Sequence, residues 1–190
     1  MTTPDARRAA ALHLHDALVK TRGEEWLRFQ GSSMAPTLCE GDLLSVRHVA
    51  AGELAFGDIV VFEGAEASVV HRLLCAPRLR APLLTKGDNA WRLDQPFAPD
   101  RLVGKVCTVR RGTVRIDLEH GWWRWVSRAI ALVSLLEAGA LWFAVDVRRR
   151  WYPEGVLRLG VERRLVRMLS RGRRLVIDAL LRTVPHVEAR

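Results

Sequence analysis

The chain has 190 residues, a length typical of one domain with an appended segment and too short for two large domains. With 49% hydrophobic and 27% charged residues it can bury a core, which excludes disordered, collagen-like and disulfide-scaffold classes. Its three cysteines, Cys39, Cys75 and Cys107, are widely spaced and form no Cys-x-x-Cys pair. Neither a zinc site nor a disulfide framework is therefore predicted.

The net charge of +9 is concentrated at one end of the chain. Residues 148–190 contain 12 Arg and 4 acidic residues, a net charge of +8, whereas residues 1–147 carry only +1. A basic segment of this kind attracts phosphates, anionic lipid or an acidic partner. Any such partner is therefore expected to bind the C-terminal part of the chain.

Residues 5–20 are predicted to form a short amphipathic helix. Leu14 and Leu18 are four residues apart, and the pattern stops before Gly23. This helix is too short and too polar to span a bilayer. Polar residues interrupt the sequence after Arg8, so no apolar core of a cleaved signal peptide is predicted. Residues 1–23 are accordingly assigned to an N-terminal helix.

A mostly-β segment begins at Leu43, where short runs of strand-forming residues alternate with Gly, Pro and Asp. The predicted strands cover residues 43–49, 58–63, 68–74, 83–86, 102–110 and 113–118. Residues 24–120 are therefore expected to form a small, mainly-β domain.

A long apolar helix is predicted after Gly121. Residues 129–147 are apolar except for Ser134, Glu137 and Asp146, and at about 1.5 Å per residue they match a hydrocarbon core of roughly 30 Å. An acidic residue near the helix centre opposes insertion by about 2.5–3.5 kcal/mol. The run predicts either a transmembrane helix or a helix that is buried against the protein or lies at the membrane interface.

A basic amphipathic helix is predicted over residues 156–184, after the helix breakers Pro153 and Gly155. Arginines occupy most of its surface, and apolar residues recur on roughly one face. The apolar positions are Leu157, Val161, Leu165, Leu169 and Val176. Such a helix can lie on an anionic membrane surface or pack on its own domain with a solvated charged face. Residues 121–190 are thus expected to form a helical extension.

The residues suited to catalysis lie in five short blocks. They are Gly31-Ser32-Ser33-Met34-Ala35-Pro36-Thr37-Leu38 with Gly41-Asp42, residues 57–62, residues 69–73, residues 85–89 with Asp94, and residues 103–106. A lone serine in such a turn usually makes only local hydrogen bonds. In this order, however, the blocks resemble the superfamily of serine peptidases that contains the signal peptidases and the LexA-type repressors, over about residues 29–110.

The resemblance implies a catalytic domain of coiled antiparallel sheets. It also implies that Ser33, the serine before Met-x-Pro, is the nucleophile, and that Met34 and Pro36 lie at the substrate cleft. Cleavage after small residues is the preference of that superfamily. No metal or organic cofactor is needed for this chemistry.

The general base distinguishes the branches of the superfamily. Most bacterial signal peptidases and the self-cleaving repressors use a lysine, but no lysine lies between Lys20 and Lys86. His71 stands in its place, and Val70-His71-Arg72-Leu73 is similar to the endoplasmic-reticulum, archaeal and sporulation-type signal peptidases. On a strand His71 and Arg72 point to opposite faces, so His71 can face a cleft. A neutral imidazole can accept the serine proton.

A third group should fix the tautomer of the histidine, and two carboxylates compete for this role. In the His-type relatives the acid matches the later aspartate. Asp94 is therefore predicted to be catalytic and Asp88 to shape the loop. The Ser33 N–H is expected to serve the oxyanion hole, with Ser32 as a helper.

The sequence thus predicts a serine endopeptidase of signal-peptidase type with a Ser33–His71–Asp94 centre that cleaves a precursor polypeptide. A membrane or anionic lipid surface is expected to bind residues 122–184, and nucleic acid is not an expected partner. The protein would be membrane-associated, or cytoplasmic if the apolar helix does not span. Two alternatives remain: a LexA-like regulator whose basic C-terminal helix binds nucleic acid or lipid, and an inactive membrane-bound scaffold.

Overall fold

An antiparallel sheet followed by two long helices forms the described part of the chain, in a computed structural model. The structure describes residues 18–21, 24–75, 81–151 and 158–182, and their side chains over 26–75, 81–143 and 168–182. This architecture confirms the predicted fold class of a mainly-β domain with a C-terminal helical extension.

Eight strands make up the sheet within the described ranges. They are β1 (Leu18–Thr21), β2 (Glu24–Arg28), β3 (Leu43–Arg47), β4 (Ile59–Glu63), β5 (Ser68–Leu73), β6 (Thr85–Lys86), β7 (Leu102–Arg111) and β8 (Val114–Asp117). The strand order is β1-β2-β3-β7-β4-β5-β6, and β8 pairs with β7. Six of the eight strands match segments that alternation and turn residues had predicted.

The ten-residue strand β7 connects the two halves of the sheet. It pairs with β3 in the register Leu44↔Val109 and with β4 in the register Val60↔Lys105. Both pairings contain a register shift, between Ser45 and Val46 and between Val61 and Phe62. Bulges of this kind bend and twist a sheet, so the sheet curves around β7.

The predicted N-terminal helix is corrected at its end. Residues 18–21 form strand β1, which pairs with β2 in the register Leu18↔Leu27. Backbone pairing with a neighbouring strand outweighs a weak helical periodicity, and the β-branched Val19 and Thr21 suit a strand. The rest of that prediction, up to residue 17, lies outside the described residues.

The sheet buries side chains on both faces because successive strand residues point to opposite sides. On β4, Ile59 and Val61 enter the main core, whereas Val60 and Phe62 enter a second, smaller one. The main core lies between the sheet and the helices. The smaller core is closed by Leu54, Leu73, Leu83 and Phe97.

Helix α1 spans Gly121–Trp151 and therefore starts eight residues before the predicted apolar run. Its early start is explained by Trp123, Val126 and Ile130, which are buried in the main core. The segment Gly121–Phe143 is long and apolar enough to cross a membrane by length and composition alone. Core helices of soluble proteins meet the same criteria, so the location of this helix has to be judged from its contacts.

Helix α2 spans Arg158–Arg182, within the predicted range. Its buried residues are Arg173 and Ile177, whereas Val176, predicted to lie on the apolar face, is 42% exposed. The contact with the main core therefore uses a face rotated by one residue from the predicted one. Leu180 and Leu181 continue that contact.

Ile177→Ala should destabilise the fold by about 2–5 kcal/mol, because it leaves a cavity where α2 meets the core. The side chain of Ile177 is fully buried, while Leu175 two residues away is 71% exposed. Leu175→Ala is therefore the matched control and should change stability by about 0.5 kcal/mol or less. Urea unfolding of the full chain measures both, and equal effects would contradict the docking of α2 seen here.

Candidate active site

The turn that carries Ser33 joins β2 to β3 and is fixed from the core. Met34 and Leu38 are fully buried beneath it, and Leu38 N donates to Met34 O at 3.0 Å. The base of the loop is closed by Phe29 N donating to Asp42 O at 2.8 Å. Ser32 is exposed and Ser33 is partly exposed. The buried flanks thus present the two serines at the surface.

Asp42 supports the same turn from its C-terminal side. Its carboxylate accepts from Cys39 N at 2.8 Å and from Arg111 Nε at 2.9 Å. The hydrogen bond to Asp42 raises the pKa of Arg111 above its usual value. Sequence reasoning included Asp42 in the serine block but did not find Arg111, which comes from the far end of β7.

His71 and Asp94 form a hydrogen-bonded pair. His71 Nδ1 lies 2.6 Å from Asp94 Oδ2, and the same oxygen accepts from Thr85 Oγ1 at 2.7 Å. Asp94 N also donates to Thr85 O at 3.0 Å, which fixes the backbone of the aspartate. A carboxylate only accepts, so Nδ1 carries the proton and a neutral ring presents the lone pair of Nε2. The imidazole therefore has the tautomer that a general base requires.

Gly87 lies between this histidine and the serine turn. A Cβ placed on Gly87 would lie 2.7 Å from Ser33 O and 3.0 Å from His71 Nε2. Asn89 N donates to Ser33 O at 2.7 Å, and Asn89 Nδ2 donates to Ser32 O at 3.1 Å. The loop of residues 85–94, termed the catalytic loop below, thus contacts both the serine turn and His71 Nε2. Position 87 therefore accommodates only glycine, which has no Cβ.

Asp88 forms a fully buried ion pair with Arg72. Arg72 Nε lies 2.8 Å from Asp88 Oδ1 and Nη2 lies 2.6 Å from Oδ2, and neither side chain is exposed. Arg72 Nη1 donates to Gly57 O at 3.0 Å and also contacts Ser127 Oγ of α1. Asp88 therefore holds the catalytic loop against β5.

A second buried cluster joins the catalytic loop to both helices. Lys86 Nζ lies 3.0 Å from Glu137 Oε2 of α1, and Arg173 of α2 contacts the same oxygen. Arg173 Nη1 also donates to Ala90 O at 2.6 Å. Burial, followed by the nearby charge of Arg173, lowers the pKa of Lys86 below its usual value. Glu137, the acidic residue within the predicted apolar run, thus binds two cationic side chains.

Arg174 extends this link to the serine turn. Its Nη2 donates to Asn89 Oδ1 at 2.9 Å, and Asn89 in turn donates to the backbone oxygens of Ser32 and Ser33. Sequence reasoning included Lys86 in a motif block without assigning it a role, and it did not connect Glu137, Arg173 or Arg174 with the site. The one signal that could have found them was an acidic residue in an apolar helix, which calls for a cationic partner.

The remaining predicted positions have different surroundings. Met34, expected at the substrate cleft, has no exposed surface and accepts from Asp88 N through Sδ at 3.4 Å. Its role is to pack the turn onto the core. Pro36 is partly exposed. Lys105, from the fifth sequence block, pairs with Asp58 at 3.0 Å and thereby joins β7 to the start of β4.

No set of three or more His, Cys, Asp or Glu side chains able to hold a metal ion occurs among the described residues. Cys39, Cys75 and Cys107 are free cysteines.

A serine-bearing turn beside a partly buried His–Asp pair is an arrangement typical of serine peptidases as a class. Residues 3–78 match the family model described as Peptidase S24-like. This match covers less than half of the chain, includes Ser33 and His71, and is consistent with the superfamily of the LexA-type and signal-peptidase-type peptidases. It does not distinguish the branches, and it ends before Asp94. No curated protein and no solved structure gives a significant match.

Asp88→Asn should destabilise the fold by about 3–5 kcal/mol, because it leaves the Arg72 guanidinium buried without its counter-charge. Glu119→Gln is the matched control: Glu119 bonds Arg47 at 2.6 Å, but the Arg47 side chain is 56% exposed. Solvent screens that pair, so its loss should change stability by about 1 kcal/mol or less. Chemical denaturation at neutral pH compares the two, and similar losses would contradict a supporting role for the buried pair.

Proposed function

We propose that the protein is a serine endopeptidase in which Ser33 is the nucleophile, His71 the general base and Asp94 the residue that orients it. One observation carries the proposal. The His71 ring bonds Asp94 through Nδ1 at 2.6 Å. A Cβ placed on Gly87 would lie 3.0 Å from His71 Nε2 and 2.7 Å from the backbone oxygen of Ser33. This proximity of His71 Nε2 to the serine turn supports the order acid, base and nucleophile that activates a hydroxyl.

The mechanism follows from this order. His71 Nε2 accepts the proton of Ser33 Oγ as that oxygen attacks the scissile carbonyl, and Asp94 stabilises the imidazolium that forms. The tetrahedral intermediate collapses when His71 returns the proton to the leaving amine, which breaks the peptide bond and leaves an acyl-enzyme. Water, deprotonated by His71, then hydrolyses the ester and restores Ser33.

The oxyanion is assigned to donors on the serine turn. The Ser33 N–H and the exposed Ser32 hydroxyl are the groups nearest in sequence to the nucleophile, and the turn is fixed by the buried Met34 and Leu38. Donors held in place before the reaction stabilise developing charge without reorganisation. Removing one such donor lowers transition-state stabilisation by about 2.7–4 kcal/mol.

The substrate is proposed to be a precursor polypeptide cut next to small side chains, as in signal peptidases. The family match and the use of histidine in place of lysine support this assignment. A peptide bound in extended form could reach Ser33 because its turn lies at the surface, whereas His71 is mostly buried. The protein around the mostly buried His71 then excludes solvent from this residue.

Ser33→Ala and His71→Ala should each abolish covalent labelling by a serine-directed probe, because one removes the nucleophile and the other the base. The full-length protein is treated with several probe chemotypes, and the adduct is located by intact mass and peptide mapping. Ser32→Ala should still form the adduct on Ser33, but more slowly, because it removes a proposed oxyanion donor. Ser68→Ala, at the start of β5 and outside the site, is the control and should label like the wild type. Labelling that persists on another residue in Ser33→Ala would overturn the assignment.

Asp94→Asn should lower kcat for a peptide substrate by about 10⁴-fold, because an amide no longer selects the productive tautomer of the histidine. Asp100→Asn, an exposed aspartate outside the site, is the control and should keep wild-type kinetics. Steady-state rates of both variants are compared after circular dichroism shows that they are folded. Near-normal kcat in Asp94→Asn would remove Asp94 from the catalytic centre.

The same preparations separate the alternatives. Incubation of the wild-type protein alone, followed by mass spectrometry, would show cleavage within its own chain if it acts as a self-cleaving regulator. Folded protein that forms no adduct with any chemotype and cuts no peptide would contradict the peptidase proposal and favour an inactive scaffold.

A further inference from the structure

We propose that the outer faces of α1 and α2 bind the surface of an anionic membrane, with α1 lying in the plane of the membrane rather than crossing it. The outer face is defined here as the side of each helix opposite to its contact with the β domain. Three observations carry the inference: the pattern of exposed apolar residues on α1, its lateral attachment to the β domain, and the charge of α2. It does not depend on catalytic activity.

The outer face of α1 is an apolar stripe. Trp125, Leu132, Leu136 and Phe143 are each at least 53% exposed. Their spacing of seven, four and seven residues puts them on one side of a helix. The buried residues, from Trp123 through Ile130 to Glu137, repeat on the other side. Exposed apolar stripes of this length mark a surface that binds a partner or a membrane.

The attachment of α1 to the β domain determines its orientation. Ser127 donates to Gly57 O at 2.7 Å and contacts Arg72, and Glu137 pairs with Lys86. These two points lie about 15 Å apart along the helix axis. If α1 crossed the hydrocarbon core, the β domain attached along this length would have to enter it as well.

The β domain is not suited to a hydrocarbon environment. Arg47 and Glu119, for example, form an ion pair whose side chains are 56% and 34% exposed. Charged groups are costly to place in a bilayer core. A helix that binds protein along one side and exposes apolar residues along the other is instead matched to the membrane–water boundary, where each side meets a suitable environment.

The charge of α2 identifies the kind of membrane. Met168 and Leu175 are exposed on the side opposite to the buried Ile177, and the exposed Arg171 and Arg182 lie beside them. The segment 148–190 carries a net charge of +8. Basic residues next to an exposed apolar face favour anionic lipid headgroups.

Vesicle sedimentation of the full-length protein tests the proposal. We expect binding to vesicles of equal parts phosphatidylcholine and phosphatidylglycerol, with much weaker binding to phosphatidylcholine alone and weakening by added salt. The double variant Leu132→Glu with Leu136→Glu should bind at least about tenfold more weakly, because it places two charges in the apolar stripe. Leu93→Glu, at a 40% exposed leucine of the catalytic loop, is the matched control and should bind like the wild type.

Three results would overturn the proposal. Equal binding by the double variant and the control would remove the stripe from the interface. A protein that ignores vesicles and is a dimer in solution, but becomes a monomer in the double variant, would show that the stripe covers a second copy of the chain. Protection of a C-terminal tag from protease inside sealed vesicles, with the N-terminal side accessible, would show that α1 spans.

Discussion

The ion pair between Arg72 and Asp88 is the constraint on which the site depends. Both side chains are fully buried, so each charge requires the other, and each of the three guanidinium nitrogens of Arg72 has a partner. Arg72 follows His71 on β5, and Asp88 follows Gly87 on the catalytic loop. The pair therefore sets the distance between His71 and the loop that separates it from Ser33. An apolar contact would fix this distance less precisely than the ion pair does, because hydrogen bonds from a guanidinium are directional.

The helical extension completes this arrangement from outside. Glu137 holds Lys86, Arg173 holds Ala90 O, and Arg174 reaches Asn89 beside the serine turn. The catalytic loop is thus bound by β5 on one side and by the two helices on the other. Local unfolding of a loop with few contacts costs little free energy. This loop is hydrogen-bonded at several successive residues, so its local unfolding should cost more. The helices consequently belong to the support of the site as well as to the outer surface of the protein.

The sequence was most informative where periodicity or a motif block set local structure. The alternating runs predicted β3 to β8, and two separate blocks, one with His71 and one with Asp94, contained residues that the fold brings within hydrogen-bonding distance. The sequence did not predict features that depend on contacts between residues distant along the chain. Strand β1 forms because β2 is beside it, and Met34 is buried because the turn folds onto the core. The charge of Glu137 looked unfavourable in isolation, since its partners Lys86 and Arg173 are distant in sequence.

The contact of Lys86 with Glu137 has a consequence for how this chain could have evolved. Lys86 is almost fully buried on the sheet, and its counter-charge comes from α1. If the β domain lost its helices, Lys86 would be left without the counter-charge of Glu137. A second change, at position 86, would then be needed to restore stability. The two halves of the chain are therefore expected to be inherited together, and Lys86 and Glu137 to change as a pair in related sequences.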